Sequence, residues 1–498
     1  MKIKELTKLK KYLLLFVVIL TSQCIFSQVQ DSVNVVVDSI TLGYPAESTS
    51  SQMPSEVEIV TPIAPEGVSF NSILRGIIGM ISILLIAFLF SKKKRQIDWK
   101  VVLIGIVIQL VLAIGVLYVP FIKSFFEILA KCFVKVMDFS GSGAEFLFGP
   151  LLNVQSIGYI FVFQVLPTIV FFSALTSLLY YLNVIQFVVV GIAWLLKKAF
   201  KLSGAEGLTV AGNIFLGQTE APLLAKRYLS SMNKSEIFLV MSAGMATIAG
   251  AVLTAYIGLL GGADPEGRLT FAKYLISASV MAAPGVIVIA KVIYPQTEDI
   301  DTDIKVDKSQ VGSNLLDAVS NGTVEGMRVA VNVGAMLLTF IAMMAMLDYI
   351  LGGVIGRFTG LNSWLTNISD GRFTTFNFQF IIGMIFTPIA WLMGVPEADM
   401  INMGGLLGTK VMINEFVAYN ELASLKESGK LIYEKSIIMA TFVLCGFANV
   451  SSIGIQIGGI SILAPNQRKT LTELGFYALI CGTLASCMSA TIVGMILG

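Results

Sequence analysis

Apolar runs of bilayer length recur along the chain, separated by short polar or charged connectors. Eight segments stand out: Ile73–Phe90, Val101–Val119, Ile157–Leu182, Ile237–Leu260, Phe271–Ile293, Val329–Leu351, Ser436–Ile460 and Leu474–Leu497. As helices at about 1.5 Å per residue, each spans most or all of a hydrocarbon core of about 30 Å. Three further apolar stretches fit no simple span, namely Phe121–Gly149, Ile185–Gly204 and Phe376–Val395. The first two carry lysines at helical spacing, as expected of helices lying in the membrane interface.

The first span runs directly into Lys92-Lys93-Lys94-Arg95, which the positive-inside rule places in the cytoplasm. Alternation then puts Lys197, Lys198, Lys201, Lys226, Arg227, Lys234, Arg468 and Lys469 on the cytoplasmic side and the C-terminus outside, against Lys426, Lys430 and Lys435 on the outer side. The segment before the first span must therefore be exported. Met1–Lys11 is lysine-rich and Tyr12–Leu20 is an apolar run too short to span, the pattern of a signal peptide over residues 1–27. Residues 28–67 are rich in Ser, Pro, Val and Glu without helical period, which predicts an exported, poorly ordered leader.

Composition supports the membrane assignment and removes several function classes. The chain has 498 residues, 55% hydrophobic and 13% charged, where soluble domains carry about 25% charged residues. A net charge of +2, without a basic arm interleaved with aromatics, argues against a nucleic-acid partner. Histidine is absent, which removes His-based triads, general bases and metal ligands. The five cysteines lack CxxC spacing and imply neither a disulfide framework nor a metal centre.

An internal repeat is the more informative signal. Ile192-Ala-Trp-Leu195 recurs as Ile389-Ala-Trp-Leu392, and each copy is followed by a polar break holding a glutamate, 26 residues from Trp194 to Glu220 and 24 from Trp391 to Glu415. The breaks read Asn213-Ile-Phe-Leu-Gly217-Gln-Thr-Glu-Ala-Pro222 and Ile413-Asn-Glu-Phe-Val-Ala-Tyr419-Asn-Glu-Leu422. Beyond each lies an apolar helix interrupted by small residues, Gly244-Met-Ala-Thr247-Ile-Ala-Gly250 and Gly446-Phe-Ala-Asn449-Val-Ser-Ser-Ile-Gly454. Three spans separate the copies, so the second enters the membrane upside down; inverted repeats with a midplane site are the architecture of secondary transporters. Segments 206–227 and 403–422 are long enough for two half-helices but not two spans, and are expected to form re-entrant hairpins. An ionisable residue inside the membrane costs at least about 2.5 kcal/mol and by default marks function, which singles out Glu220 and Glu415.

Gly217-Gln-Thr-Glu-Ala-Pro222, Asn414-Glu-Phe-Val-Ala-Tyr419 and the Gly446–Gly454 segment, in this order, resemble the signature segments of the concentrative nucleoside transporter family over roughly residues 70–498. The resemblance implies an all-α membrane protein of eight transmembrane helices, two re-entrant hairpins and interfacial helices, an inverted-repeat, elevator-type homotrimer. It implies a bacterial nucleoside/cation symporter of the cytoplasmic (inner) membrane, not an enzyme. The expected division is scaffold helices with the first interfacial helix over 68–184, a first transport-domain repeat over 185–294, a cytoplasmic loop and scaffold helix over 295–372, and a second transport-domain repeat over 373–498.

Residue by residue, the resemblance implies that Gln218, Thr219 and Glu220 face the nucleobase, that Glu415, Asn449 and Ser452 hold the ribose, and that Val252 and Phe447 flank the solute. For a co-transported Na+ it implies the side chains of Asn213 and Thr247 and the carbonyls of Leu216 and Ile248; no organic cofactor is implied. The chemistry agrees. Gln and Thr both donate and accept, as a base edge requires, and a carboxylate suits a vicinal diol. Oxygen ligands suit a hard cation. Proton coupling through Glu220 stays open, as does whether Glu220 serves the base or the cation. A membrane enzyme is the competing class, but GxxxxGK[ST], HExxH and GxSxG are absent. A carrier of an amino or dicarboxylic acid would want Arg or Lys in its second hairpin, where this sequence has Asn449, Ser451 and Ser452 near Glu415.

Overall fold

The computed structural model describes residues 62–157, 160–303, 312–368 and 373–498. The expected signal peptide and nearly all of the leader lie outside these residues. The α-helices of eight residues or more are, in the first half, α1 Phe70–Leu89, α2 Trp99–Tyr118, α3 Pro120–Phe148, α4 Leu166–Tyr181, α5 Val184–Phe200, α6 Gly204–Asn213, α7 Lys234–Ala246, α8 Gly250–Gly261 and α9 Pro265–Ile293. The second half holds α10 Leu315–Asp348, α11 Leu361–Ile368, α12 Phe378–Leu392, α13 Met400–Met412, α14 Glu415–Glu427, α15 Glu434–Leu444, α16 Val450–Leu463 and α17 Arg468–Leu497.

Helix starts follow local chemistry. Ser69 with Ser72 and Asn233 with Glu236 form reciprocal capping boxes at α1 and α7, and Asp264 caps α9 ahead of Pro265. Among the described residues, seven stretches are long and apolar enough to cross a membrane. The remaining expected span, Ser436–Ile460, is present as two short pieces, α15 and α16, parted at Cys445–Asn449. The three stretches that fit no simple span form α3, α5 and α12.

Burial divides the spans. The apolar window of α9 is 94% buried and that of the α7–α8 pair 83%, whereas that of α10 is 22% buried. Small residues set the closest approaches, as in membrane helix pairs generally. Gly322 and Gly326 bring α10 against the backbone of α4 at Ala174 and Val170, and Gly383 with Gly404 brings α12 onto α13. Helices α1 and α2 pack inward: Gly76 of α1 meets Met495 of α17, Gly105 of α2 meets Val288 of α9, and Gln109 donates to Met281 O and Ser489 Oγ.

The last residues of the expected leader are fixed. Ile63 N donates to Ile432 O at 2.8 Å, Glu434 N returns a bond to Ile63 O at 3.0 Å, and Gly67 N donates to Leu497 O at 2.9 Å. Backbone pairing, invisible to a hydropathy pattern, overrides the polar composition at 62–67.

A buried ion pair locks the first repeat. Lys291 Nζ of α9 lies 2.5 Å from Glu206 Oε1 of α6 and 3.1 Å from Ser235 Oγ. Glu206 Oε2 accepts from Ser203 N. Breaking one partner of such a pair strands a charge in the interior, so Lys291→Met is expected to destabilise by about 3–5 kcal/mol. Adding Glu206→Met should recover most of that in the thermal midpoint of purified protein; a double variant no more stable than Lys291→Met would refute the pairing.

Candidate functional site

The two interrupted helices cross backbone to backbone. Helix α7 ends at Ala246, Thr247 is extended at φ −120° and ψ 170°, and the helix resumes as α8 at Gly250. Helix α15 ends at Leu444 and resumes after Asn449, whose side chain caps α16 by accepting from Ser452 N. At the crossing Gly446 has φ +117°, and a Cβ there would lie 2.7 Å from the carbonyl carbon and oxygen of Ala246. Phe447 N donates to Thr247 O at 3.3 Å. Inverted copies thus meet where both are unwound, and free peptide groups are tolerated at membrane depth only in such protein-lined places.

A polar cluster sits at this crossing. Glu415, the first residue of α14, accepts from Tyr256 Oη at 3.1 Å through Oε1 and from Asn449 Nδ2 at 2.9 Å through Oε2. Gln218, at the tip of the first hairpin, donates to Ser452 Oγ at 3.2 Å and accepts from Gln456 Nε2 at 3.1 Å. Gln456 also donates to Met241 O. Glu415, Asn449 and Ser452 are at most 3% exposed and Gln218 8%. The positive N-terminal ends of α14 and α16 converge here, so the carboxylate occupies a favourable field.

Tyr256 and Gln456 are the residues the sequence pattern missed. Each lies inside an otherwise apolar helix, outside the polar breaks. Tyr256 has only apolar neighbours at helical spacing, whereas Gln456 lies four residues after Ser452, a spacing that puts both on one face of α16 and is the signal that could have found it. Tyr256 is held by stacking on Tyr419 at 4.2 Å and by an edge contact with Phe416 at 4.8 Å.

The other expected residues distribute differently. The first hairpin reverses through Gly217–Glu220, with Glu220 N and Ala221 N both donating to Gly217 O, and its returning arm is a 3-10 turn, Ala221–Ala225, with a single helical turn after it, not the half-helix expected. In so tight a reversal successive side chains leave in different directions. Gln218 enters the cluster, Thr219 is exposed with its methyl beside Gly459, and Glu220 is exposed. Glu220 Oε2 accepts from Gly217 N at 3.1 Å. Glu220 lines a cavity of about 290 Å³ shared with Ser173 and Ser177 of α4, Ala249–Ala251, and Asn321 and Glu325 of α10. The two glutamates that the repeat aligns are therefore not equivalent in space. Val252 is buried in the first turn of α8 and Phe447 is half-buried at the crossing.

Of the residues assigned to a cation, Asn213 and Leu216 lie at the first hairpin tip, and Thr247 and Ile248 lie in the helix break bonded to it. Asn213 is fully buried, donates through Nδ2 to Thr209 O, and its Oδ1 has no hydrogen-bond partner among the described residues. Phe215 O accepts from Gly250 N at 3.0 Å and Ile214 O from Ser279 Oγ at 3.0 Å, which ties the tip to the break carrying Thr247 and Ile248 and to α9. Leu216, Thr247 and Ile248 are buried. Leaving a buried amide oxygen unsatisfied costs about 1–3 kcal/mol, and a cation relieves that cost. Amide, hydroxyl and carbonyl oxygens form a neutral donor set fitted to an alkali ion.

The second hairpin does carry a lysine, contrary to the sequence argument against acidic cargo. Lys410 of α13 is fully buried, but its ammonium is held by Val443 O at 2.8 Å and Ser486 Oγ at 3.0 Å. An acid-binding role is thus argued against by where the lysine is bonded, not by its absence.

Family models match along most of this structure. The Na+ dependent nucleoside transporter N-terminus covers residues 78–151, a nucleoside recognition gate 162–263, and the Na+ dependent nucleoside transporter C-terminus 274–494. The chain is 39% identical over 436 residues to nucleoside permease NupC of Helicobacter pylori, covering 86% of this chain and 98% of that protein. It matches the solved structure of CNTnw in an inward-facing substrate-bound state at 37% identity and a TM-score of 0.77, covering 85% of this chain and 98% of the other. A CNTnw double variant in an outward-facing state matches at a TM-score of 0.75 and 37% identity, covering 85% and 97%. The fold is that of an elevator-type transporter rather than an enzyme, and the chain belongs to the concentrative nucleoside transporter family.

Proposed function

We propose that the protein is a secondary active symporter that imports nucleosides across the bacterial cytoplasmic membrane with Na+, working as a homotrimer. The observation that carries this reading is the buried Glu415–Asn449 pair at the crossing of two inverted repeats, together with the Oδ1 of Asn213, which has no partner among the described residues. In this reading Glu415, Asn449 and Ser452 take the ribose, with Tyr256 orienting the carboxylate. Gln218 takes the base edge, exchanging its bonds to Ser452 and Gln456 for bonds to the solute. Thr219 and Glu220 reach the base from the cavity side, and Val252 and Phe447 flank it. Asn213, Thr247 and the carbonyls of Leu216 and Ile248 take the ion.

One cation entering with a neutral solute gains about 2.3 kcal/mol per 100 mV of membrane potential, enough for uphill uptake before any ion gradient is counted. In proteoliposomes, labelled uridine is expected to accumulate under an inward Na+ gradient but not under choline, and to show counterflow. Absence of both would end the proposal. Asn213→Ala is expected to raise the Na+ concentration for half-maximal uptake about tenfold, the equivalent of about 1.4 kcal/mol for one lost neutral ligand. Unchanged sodium activation in that variant would remove Asn213 from the ion site.

One observation favours a second reading, a proton as the coupling ion: Glu220 and Glu325 share one cavity between the hairpin and α10. Uptake driven by a proton gradient without Na+, and lost in Glu220→Gln, would select it.

A further inference from the structure

Half-helix α15 ends at Leu444, and its free carbonyls have a resident partner. Lys410 Nζ donates to Val443 O at 2.8 Å, to Cys445 O at 3.4 Å and to Ser486 Oγ at 3.0 Å. Thr441 O, one turn earlier, accepts from Tyr419 Oη at 2.9 Å. The described partners of this ammonium are all neutral oxygens. The buried lysine of the first repeat, Lys291, is by contrast paired with a carboxylate at 2.5 Å. Taking an ammonium out of water costs several kcal/mol. Here the return comes from carbonyl dipoles and the negative end of α15, which attract any cation of suitable size, with the Glu415 carboxylate adding attraction without a direct bond.

The inverted repeat supplies the comparison. In the first copy, the last residue of the inbound hairpin helix, Asn213, has an Oδ1 with no partner among the described residues, and Ser279 of the following long helix α9 reaches the hairpin tip at Ile214 O. In the second copy, the last turn of the inbound hairpin helix α13 carries Lys410, and Ser486 of the following long helix α17 binds its ammonium. The same three elements, hairpin arm, broken helix and long helix, thus frame an oxygen-lined position in each repeat. One holds an unsatisfied acceptor and the other holds a positive charge on a side chain.

We propose that Lys410 is a tethered cation, filling in the second repeat the position that the co-transported ion takes in the first. This rests on the sodium reading above. Its consequence is a division of labour: one repeat exchanges its cation with solution on every cycle, and the other carries its own. The second hairpin then keeps its charge through the whole transport cycle.

Emptying the position tests this. Full-length protein carrying Lys410→Ala or Lys410→Ser would be purified in NaCl and in choline chloride, beside the parent. Thermal midpoints would be measured across salt concentration, and sodium activation of uridine uptake in proteoliposomes. Both variants are expected to gain a sodium-specific rise in midpoint beyond that of the parent, and a Hill coefficient for sodium higher by about one, as linkage requires for an added ion site. Recovery of the variants from NaCl but not from choline chloride would support the same conclusion. A sodium response identical to the parent's, or failure to recover both variants from either salt, would overturn it. A parent insensitive to sodium beside responsive variants would refute sodium coupling and leave the tethered cation standing.

Discussion

Replacing Gly446 by alanine is expected to abolish recoverable, transport-competent protein. The residue lies at φ +117°, where L side chains are strained, and its Cβ would sit 2.7 Å from the Ala246 carbonyl. That neighbour is backbone in the opposing break and cannot rotate away. Strain and overpacking together amount to about 2–6 kcal/mol. Gly454→Ala is the matched control: it lies in the same segment, and a Cβ there meets nothing within 4 Å. Monodisperse yield in detergent and initial uptake should both collapse for Gly446→Ala and remain near the parent for Gly454→Ala. Equal behaviour of the two would mean that the crossing of the breaks does not hold the site together.

Uptake is expected to fall by about two orders of magnitude in Glu415→Gln, while folding persists. The amide has nearly the shape of the carboxylate, but it turns one acceptor into a donor. With Oε1 kept on Asn449 Nδ2 at 2.9 Å, the amide NH2 faces Tyr256 Oη at 3.1 Å, which turns its hydroxyl to accept, so the cluster keeps its shape while losing the charge and an acceptor for the solute. A hydrogen bond to a charged group contributes about 1.5–3 kcal/mol, and each 1.4 kcal/mol is a factor of ten. The same experiment identifies what the carboxylate holds. In the parent, a 3′-deoxy nucleoside should bind about 1–3 kcal/mol more weakly than its parent nucleoside, because a buried partner is left unpaired. In Glu415→Gln that discrimination should shrink. Undiminished discrimination would place the ribose elsewhere, even if uptake is lost.

Much of the fold was legible because membrane burial writes itself into composition. Apolar runs, the Lys92–Arg95 cluster and the two copies of Ile-Ala-Trp-Leu suffice to place the spans and the inverted repeat. Glu415, Asn449 and Ser452 were legible because polar residues in apolar segments are rare and costly. The two copies align Glu220 with Glu415, but an alignment preserves order along the chain, not direction in space. The turn at Gly217–Glu220 sends its carboxylate to Gly217 N and the α10 cavity instead of to the crossing.

What the sequence determined by itself is therefore the class of molecule, its inverted halves and the polar residues bound for its centre, since hydropathy and charge act locally along the chain. Only the tertiary structure decided which of them meet. Tyr256 and Gln456 join the cluster from apolar helices, Lys410 turns to the carbonyls ending α15, and residues 62–67 pair with a segment more than 360 positions away. Each of these depends on hydrogen bonds across long separations, whose geometry is set by how helices cross and not by any pattern of neighbouring residues.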